Sequence, residues 1–262
     1  MKIIDLEKKY LNDYLCCLEE WSDEMKESGN RKREWYEKMK DQGLRVKLAI
    51  DGKGEAIGMI QYIPSEKSFI KADGLYTILC IWVHGYKKKG VGNRQNKGVG
   101  KALLKAAEED AYDRGAKGMA AWGLVIPVWM KASWFKKNGY EKTDRISLQS
   151  LVWKSFHEDA IAPKLVRPVK KPEEGNGTVN VCCFNHGWCP AQNISFERTK
   201  RAAEELDDKV HFKFYDTSNQ ETLDEWGISD SIFIDGKEIS TGPPKSYEKI
   251  KRKIEKRLKR IK

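Results

Sequence analysis

The run "LYTILCIWV" (Leu75–Val83) leads within a few residues into "KGVGNRQNKGVGKALLKAA" (Lys89–Ala107), and this succession constrains the chain more than any other feature. A long apolar stretch rich in β-branched and aromatic residues reads as a strand. Leu103, Leu104, Ala107 and Ala111 then recur at helical spacing, so a helix with one apolar stripe follows. Strand, glycine loop and helix together point backbone N–H groups and the positive end of a helix dipole at one place, where an anion is favoured. The tetrapeptide Lys-Gly-Val-Gly occurs twice in the connection, and the copies compete for that role. Gly90 and Gly92 lie nearer the strand, with Lys87 at the head of the loop. They are followed by "NRQNKG", which holds no aliphatic position on which a buried helix could start. Gly98 and Gly100 run directly into the striped helix. A phosphate site built on a helix terminus needs the helix, so the second copy is the expected loop and residues 85–94 are an extension.

Around this core the chain alternates strand and helix patterns, which makes it α/β. A short strand at Lys2–Ile4 precedes the near-helical "LNDYLCCLEEWSDEM" and the helix "REWYEKMKDQG", which ends at Gly43. Strands Val46–Ile50 and Ala56–Ile63 are joined by the turn "DGKGE". After the glycine loop come a helix over Lys101–Arg114, a strand at Gly118–Ile126, a short helix in "MKASWFKKNGY" and a closing strand near Ile146–Val152. The segment 156–177 has three prolines, two glycines and no period, the composition of a linker. A second domain over 178–262 then reads as strand Val179–Phe184, helix Ser195–Leu206, strand Val210–Tyr215, helix Glu221–Trp226, strand Ser231–Ile234 and a terminal helix.

Charge narrows the function classes. Of the formal +10, the stretch Lys245–Lys262 carries ten Lys or Arg against two Glu, so the remainder is close to neutral. Tyr247, Ile250, Ile254, Leu258 and Ile261 recur at helical spacing there, so the basic segment is an amphipathic helix docked on its own domain, with an acidic partner or nucleic acid as the alternative. Six cysteines (Cys16, Cys17, Cys80, Cys182, Cys183, Cys189) without a signal peptide or a membrane-length apolar run suggest free thiols and a cytoplasmic protein.

Gln95-Asn96-Lys97-Gly98-Val99-Gly100, continuing into Lys101 and Ala102, resembles the acetyl-CoA loop of the GNAT N-acetyltransferase family, written Q/R-x-x-G-x-G/A. "ASWFKKNGYEKTD" resembles that family's late helix and turn, and the likeness extends over residues 1–152. It implies the acyl-CoA acyltransferase fold over residues 1–155: a mixed, largely antiparallel sheet flanked by helices. Acetyl-CoA is then the donor, and a neutral amine of an unidentified, small-molecule acceptor attacks the thioester directly. Cofactor-binding positions carried over are Ile81, Trp82 and Val83 at the strand end and Gln95, Asn96, Lys97, Gly98, Val99, Gly100, Lys101 and Ala102 in the loop, with the Val83 amide as oxyanion donor. The proton acceptor stays open between His84, whose intrinsic pKa suits the task, Cys80, and relay through water. Both residues also have bland readings, a loop histidine and a buried thiol. Phe135 stands where many members carry a Tyr that protonates the departing thiolate, and Trp129 where an Asn is common. Trp82, Trp122, Trp129 and Trp134 fit either an aromatic acceptor pocket or ordinary packing.

In the second domain "VCCFNHGWCPAQN" resembles the opening of a thioredoxin fold, and a GNAT domain followed by such a tail resembles the YoaP type of acetyltransferase. Gln192 stands where the resolving thiol would be, and Asp230-Ser231 where a proline would precede the later strand, which speaks against dithiol exchange. Cys182, Cys183, His186 and Cys189 are metal-ligand types, but neighbours on a strand face opposite ways, so no metal is expected. Two other functions stay open: a thiol-dependent redox or sensor protein centred on Cys189, and a non-catalytic acyl-CoA-binding module. A homodimer is the default assembly.

Overall fold

The structure, a computed structural model, describes residues 1–126, 129–206, 208–239 and 243–261. The chain forms two compact units, Met1–Trp21 with Glu37–Val166 and Ser22–Tyr36 with Arg167–Lys262. Elements are numbered in chain order: β1 (Lys2–Asp5), α1 (Leu11–Leu15), α2 (Asp23–Lys26), α3 (Arg31–Met39), β2 (Arg45–Ile50), β3 (Ala56–Pro64), β4 (Ile70–Lys71), β5 (Leu75–Val83), α4 (Val99–Asp113), β6 (Gly118–Leu124), α5 (Ala132–Lys136), β7 (Glu141–Ile146), β8 (Gln149–Ser155) and β9 (Lys164–Leu165).

The first unit is built on a seven-stranded sheet of order β1-β2-β3-β5-β6-β8-β7. Every neighbouring pair is antiparallel except β5 and β6. Parallel strands need a crossover, and α4 supplies it. Its stripe of Leu103, Leu104, Ala107 and Ala111 is buried against Ile60, Tyr62, Ile78 and Met119 of the sheet. A polar clamp fixes the far end of the same helix. Asp110 accepts hydrogen bonds from the Tyr62 hydroxyl (2.7 Å), Arg45 (3.1 Å) and Arg114 (3.0 Å), with Lys47 at 3.6 Å. Burial opposes ionisation of this carboxyl, but the hydrogen bonds and cations outweigh it and hold its pKa well below the usual carboxylate range.

Two local departures from the sequence expectation have backbone causes. The N-terminal helical pattern stops after five residues, because Cys17 and Leu18 both adopt left-handed conformations (φ +53° and +62°), turning the Leu18 amide back onto the Asp13 carbonyl. The closing strand is a hairpin of β7 and β8 rather than one strand, turning at Ser147 (φ +50°).

The second unit continues with β10 (Val179–Asn185), α6 (Pro190–Glu204), β11 (Val210–Asp216), α7 (Gln220–Trp226), β12 (Ser231–Ile234), β13 (Lys237–Glu238) and α8 (Tyr247–Leu258). Its sheet has the order β11-β10-β12-β13, with β10 and β11 parallel and the other pairs antiparallel. Helix α6 starts at Pro190, earlier than the expected Ser195, because proline at the first helical position forfeits only an N–H that would be unpaired anyway. The basic helix α8 buries Ile250, Ile254 and Leu258 with Val179, Val181, Cys183 and Phe196. Residues 22–36 belong here through charge. Arg198 donates to Glu27 (2.8 Å), to Glu24 (3.0 Å) and to the Lys245 carbonyl (3.0 Å), while Arg31 pairs with Glu197 (2.6 Å) and lies 3.4 Å from the centre of the Phe196 ring. None of the six cysteines is joined in a disulfide among the described residues. Among the described residues, no helix is long and apolar enough to cross a membrane.

Candidate active site

The site begins with a defect in the sheet. β5 and β6 pair only from Leu75–Ile78 to Gly118–Ala121, although β5 runs on to Val83 and β6 to Leu124. The split coincides with a bulge, because Tyr62 faces Ile78 on β3 while the next residue, Gln61, faces Cys80, leaving Leu79 as the extra position. A bulge bends its strand and breaks the ladder, and here it turns β5 away from β6. Beyond it, the Leu79 carbonyl accepts from the Trp122 indole of β6 (2.9 Å) and the Val83 carbonyl from the Gln95 side chain (3.1 Å). On the other edge the His84 amide donates to Ile57. This alternation turns the peptide groups of Ile81 and Val83 into the gap, where no strand of the described residues lies opposite them.

Helix α4 closes one end of the gap. It begins within the second Lys-Gly-Val-Gly copy, at Val99, with Gly98 at its cap in a left-handed conformation (φ +80°). A side chain there would meet open space, so glycine is required by the backbone angle and not by crowding. At Gly100 the reason is proximity: a Cβ would stand 3.3 Å from the Trp134 ring. The cleft has a volume of about 760 Å³ and reaches from Gly98, Gly100, Lys101, Gln95 and Asn96 past Ile81, Trp82 and Val83 to Trp129, Trp134 and Phe135. First-turn N–H groups, a helix dipole and the side chain of Lys101 give one end a positive character; indole and phenyl rings make the other apolar.

Not every expected position reaches this cleft. Val99 turns into the core, and Lys97 and Ala102 do not line the opening. Cys80 and His84 share the face of β5 opposite to Ile81 and Val83, and both are buried. The His84 Nδ1 meets the Gly92 carbonyl at 2.8 Å, which ties the first glycine copy down onto the strand. Neither residue lines the cleft, and this departs from the expectation that they stand beside the reacting atoms. Phe135 is at the cleft and carries no proton to give; a neighbouring phenol, Tyr140, is buried with its ring centre 5.4 Å from that of Phe135. Burial raises the Tyr140 pKa well above its ordinary value. Arg94 escaped the sequence reading because it lies in the extension; its guanidinium is held by Asp51 (3.0 Å) and the Val91 carbonyl (2.9 Å) at the edge of the cleft.

In the second unit Cys189 caps α6 and is buried. Cys182 packs with Phe184 and Phe233 and Cys183 with Phe196 and Ile254, on opposite faces of β10. Burial raises both thiol pKa values. Among the described residues no group of three metal-ligating side chains converges. Asp230 accepts from the His186 amide (3.0 Å) and the Ser229 hydroxyl (2.9 Å). The residue as a whole is half-buried, but protein surrounds its carboxyl, and desolvation lifts the pKa to about 6.

Residues 7–126 match the sequence profile of the acetyltransferase (GNAT) family. A search of curated proteins returns no match. Among solved structures, the aminoglycoside 6'-N-acetyltransferase from Enterococcus faecium is similar at 16% identity, covering 59% of this chain and 97% of its own, with a TM-score of 0.40. A GNAT family acetyltransferase from Brucella melitensis in complex with acetyl-CoA shows 13% identity, 61% and 90% coverage and a TM-score of 0.38. The PaiA N-acetyltransferase of Thermoplasma acidophilum in complex with coenzyme A shows 17% identity, 60% and 100% coverage and a TM-score of 0.41.

Proposed function

We propose that this chain, whose first unit is a GNAT acetyltransferase domain, transfers the acetyl group of acetyl-CoA to an amine of a small-molecule acceptor. The observation that carries this reading is the split between β5 and β6, opening beside the uncovered N-terminus of α4 in one continuous cleft. A nucleotide diphosphate needs N–H groups and a positive dipole, and the turn from Gly98 to Lys101 offers them, with Lys101 and Arg94 as cations. A pantetheine arm carries amides that pair like a strand, and the Ile81 and Val83 peptide groups face the gap where such an arm would lie. The thioester then comes to Val83, whose N–H stabilises the oxyanion formed when the amine attacks. Gln95 binds the Val83 carbonyl and so fixes the plane of that peptide group.

Proton traffic follows from what is absent around Phe135. The leaving thiolate of coenzyme A meets no phenol among the described residues lining the cleft, and a thiol, acidic enough to ionise within a few units of neutrality, departs as thiolate. The attacking amine loses its proton to water in the cleft, with His84 and Cys80 acting from behind the strand as supports of its position. In the same reading the second unit is a thioredoxin-like domain of the YoaP type, supported by the strand that runs into Cys189 and α6 and by the parallel pairing of β10 with β11. That unit recruits the acceptor, and six cysteines with no disulfide among them suit a cytoplasmic protein. The experiment is an amine panel with release of the coenzyme A thiol as readout, preceded by calorimetric titration of acetyl-CoA. Binding followed by amine-dependent thiol release is expected; binding without release on any amine would leave an acyl-CoA-binding module, and no binding would end the reading.

A further inference from the structure

We propose that the aromatic cluster beneath the 85–92 loop anchors an alkylammonium group of the acceptor, and that Lys89 occupies its place in the structure. The proposal rests on the acetyl-transfer reading of the adjoining cleft. Tyr86 lies edge-on among three rings, with centres 4.9 Å from Trp21, 6.4 Å from Trp82 and 5.6 Å from His84. The Lys89 ammonium lies 4.4 Å from the centre of the Trp21 ring. Indole faces are the best aromatic partners for a cation. The Tyr86 hydroxyl donates to Glu19 at 3.3 Å, placing a carboxylate beside the rings.

Three polar atoms of the cluster are buried without a hydrogen-bond partner among the described residues: Trp21 Nε1, Trp82 Nε1 and His84 Nε2. With Nδ1 donating to the Gly92 carbonyl, His84 Nε2 is an acceptor that an ammonium proton satisfies, whereas the two indole N–H groups only donate and take water or an acceptor atom instead. Two of them converge: a Cβ on Gly90 would stand 2.7 Å from His84 Nε2 and 3.1 Å from Trp21 Nε1, so the loop backbone covers a donor and an acceptor together. Trp82 also lines the cleft, which makes cluster and cleft contiguous. A linear diamine fits this layout. One ammonium replaces that of Lys89 on Trp21, and the methylene chain lies along Tyr86 and Trp82. The other amine, unprotonated, reaches the thioester beside Val83. Binding requires the Lys89–Gly92 part of the loop to lift while Tyr86 stays in place, and Lys89 competes with the substrate for its anchor.

The test is calorimetric titration of 1,5-diaminopentane into the full chain saturated with coenzyme A, with pentan-1-ol as the uncharged control. Lys89→Gln, an exposed change, is expected to tighten diamine binding by about 2-fold to 30-fold, the span of a cation–π contact. Trp21→Leu weakens it over the same range, and Trp21→Phe, which keeps a ring, falls between. Equal affinity in all variants, equal binding of pentan-1-ol, or no diamine binding while coenzyme A still binds would overturn the anchor. Loss of coenzyme A binding by wild type would instead strike the acetyl-transfer reading, and retained binding by the variants reports that they fold.

Discussion

The two glycine copies separate stability from affinity, and substituting one residue in each measures that separation. At Gly98 a new side chain meets open space, so the structural penalty is the left-handed backbone alone, about 1–2 kcal/mol. Gly98→Ala therefore lowers the melting temperature of the first unit by about 2–8 °C and leaves acetyl-CoA affinity within about 3-fold, since free and bound states share the strain. On the proposed reading Gly98→Asp puts a carboxylate beside a diphosphate of charge −2; at a separation of about 5 Å the repulsion is about 2 kcal/mol at the dielectric of water and several times more at the effective value near a protein surface. Affinity then falls at least 30-fold, at roughly 1.4 kcal/mol per decade. Gly90 is the converse case: its Cβ would press on two rigid rings at 2.7 and 3.1 Å. Gly90→Asp costs about 2–4 kcal/mol of stability through overpacking and strain, with acetyl-CoA affinity changed by less than about 3-fold in the folded fraction. Calorimetry and thermal unfolding on the same preparations read both quantities. If Gly90→Asp abolished binding and Gly98→Asp did not, the phosphate loop would be the first copy and the helix terminus would have no part in it.

Two carboxyls give opposite pH signatures. The Asp110 pKa is depressed in the fold, so its contribution is present above about pH 4, the unfolded value, and is lost as pH falls toward the folded one. Asp110→Asn should destabilise the first unit by about 2–4 kcal/mol at pH 7, as expected for breaking a largely buried pair, and flatten its stability profile below pH 4 in urea unfolding. The Asp230 pKa is raised to about 6, so stability linked to it is complete below about pH 4 and declines as pH rises through 6. Asp230→Asn should cut the difference in stability between pH 5 and pH 8; an unchanged profile would mean that the carboxyl is solvated.

Helix α4 was legible because its stripe of Leu103, Leu104, Ala107 and Ala111 can bury only in one register, and the same stripe decided between the glycine copies. β5 was legible from its apolar run. Its bulge at Leu79 was not, since a single extra residue leaves no mark in an apolar string, yet it opens the cleft. Period-two alternation along β5 separates Cys80 and His84 from Ile81 and Val83, but Trp82, on the side of the first pair, also lines the cleft, so alternation alone did not decide which side carries the chemistry. The left-handed pair at Cys17 and Leu18 was hidden because neither residue type favours that conformation. Arg94 was hidden by distance: Asp51, which orients it, lies 43 positions away.

The pairing of Arg198 with Glu27 spans 171 positions. During synthesis residues 22–36 emerge long before their partners, and at 5–20 residues per second that wait is roughly 10 to 35 s. Through it, Glu24, Glu27 and Arg31 have no completed unit to join. A late fragment starting at the linker would in turn present Arg198 without either carboxylate. The second unit is thus threaded through the start of the chain, and severing the two halves between residues 156 and 177 yields pieces that each lack something the other half encodes.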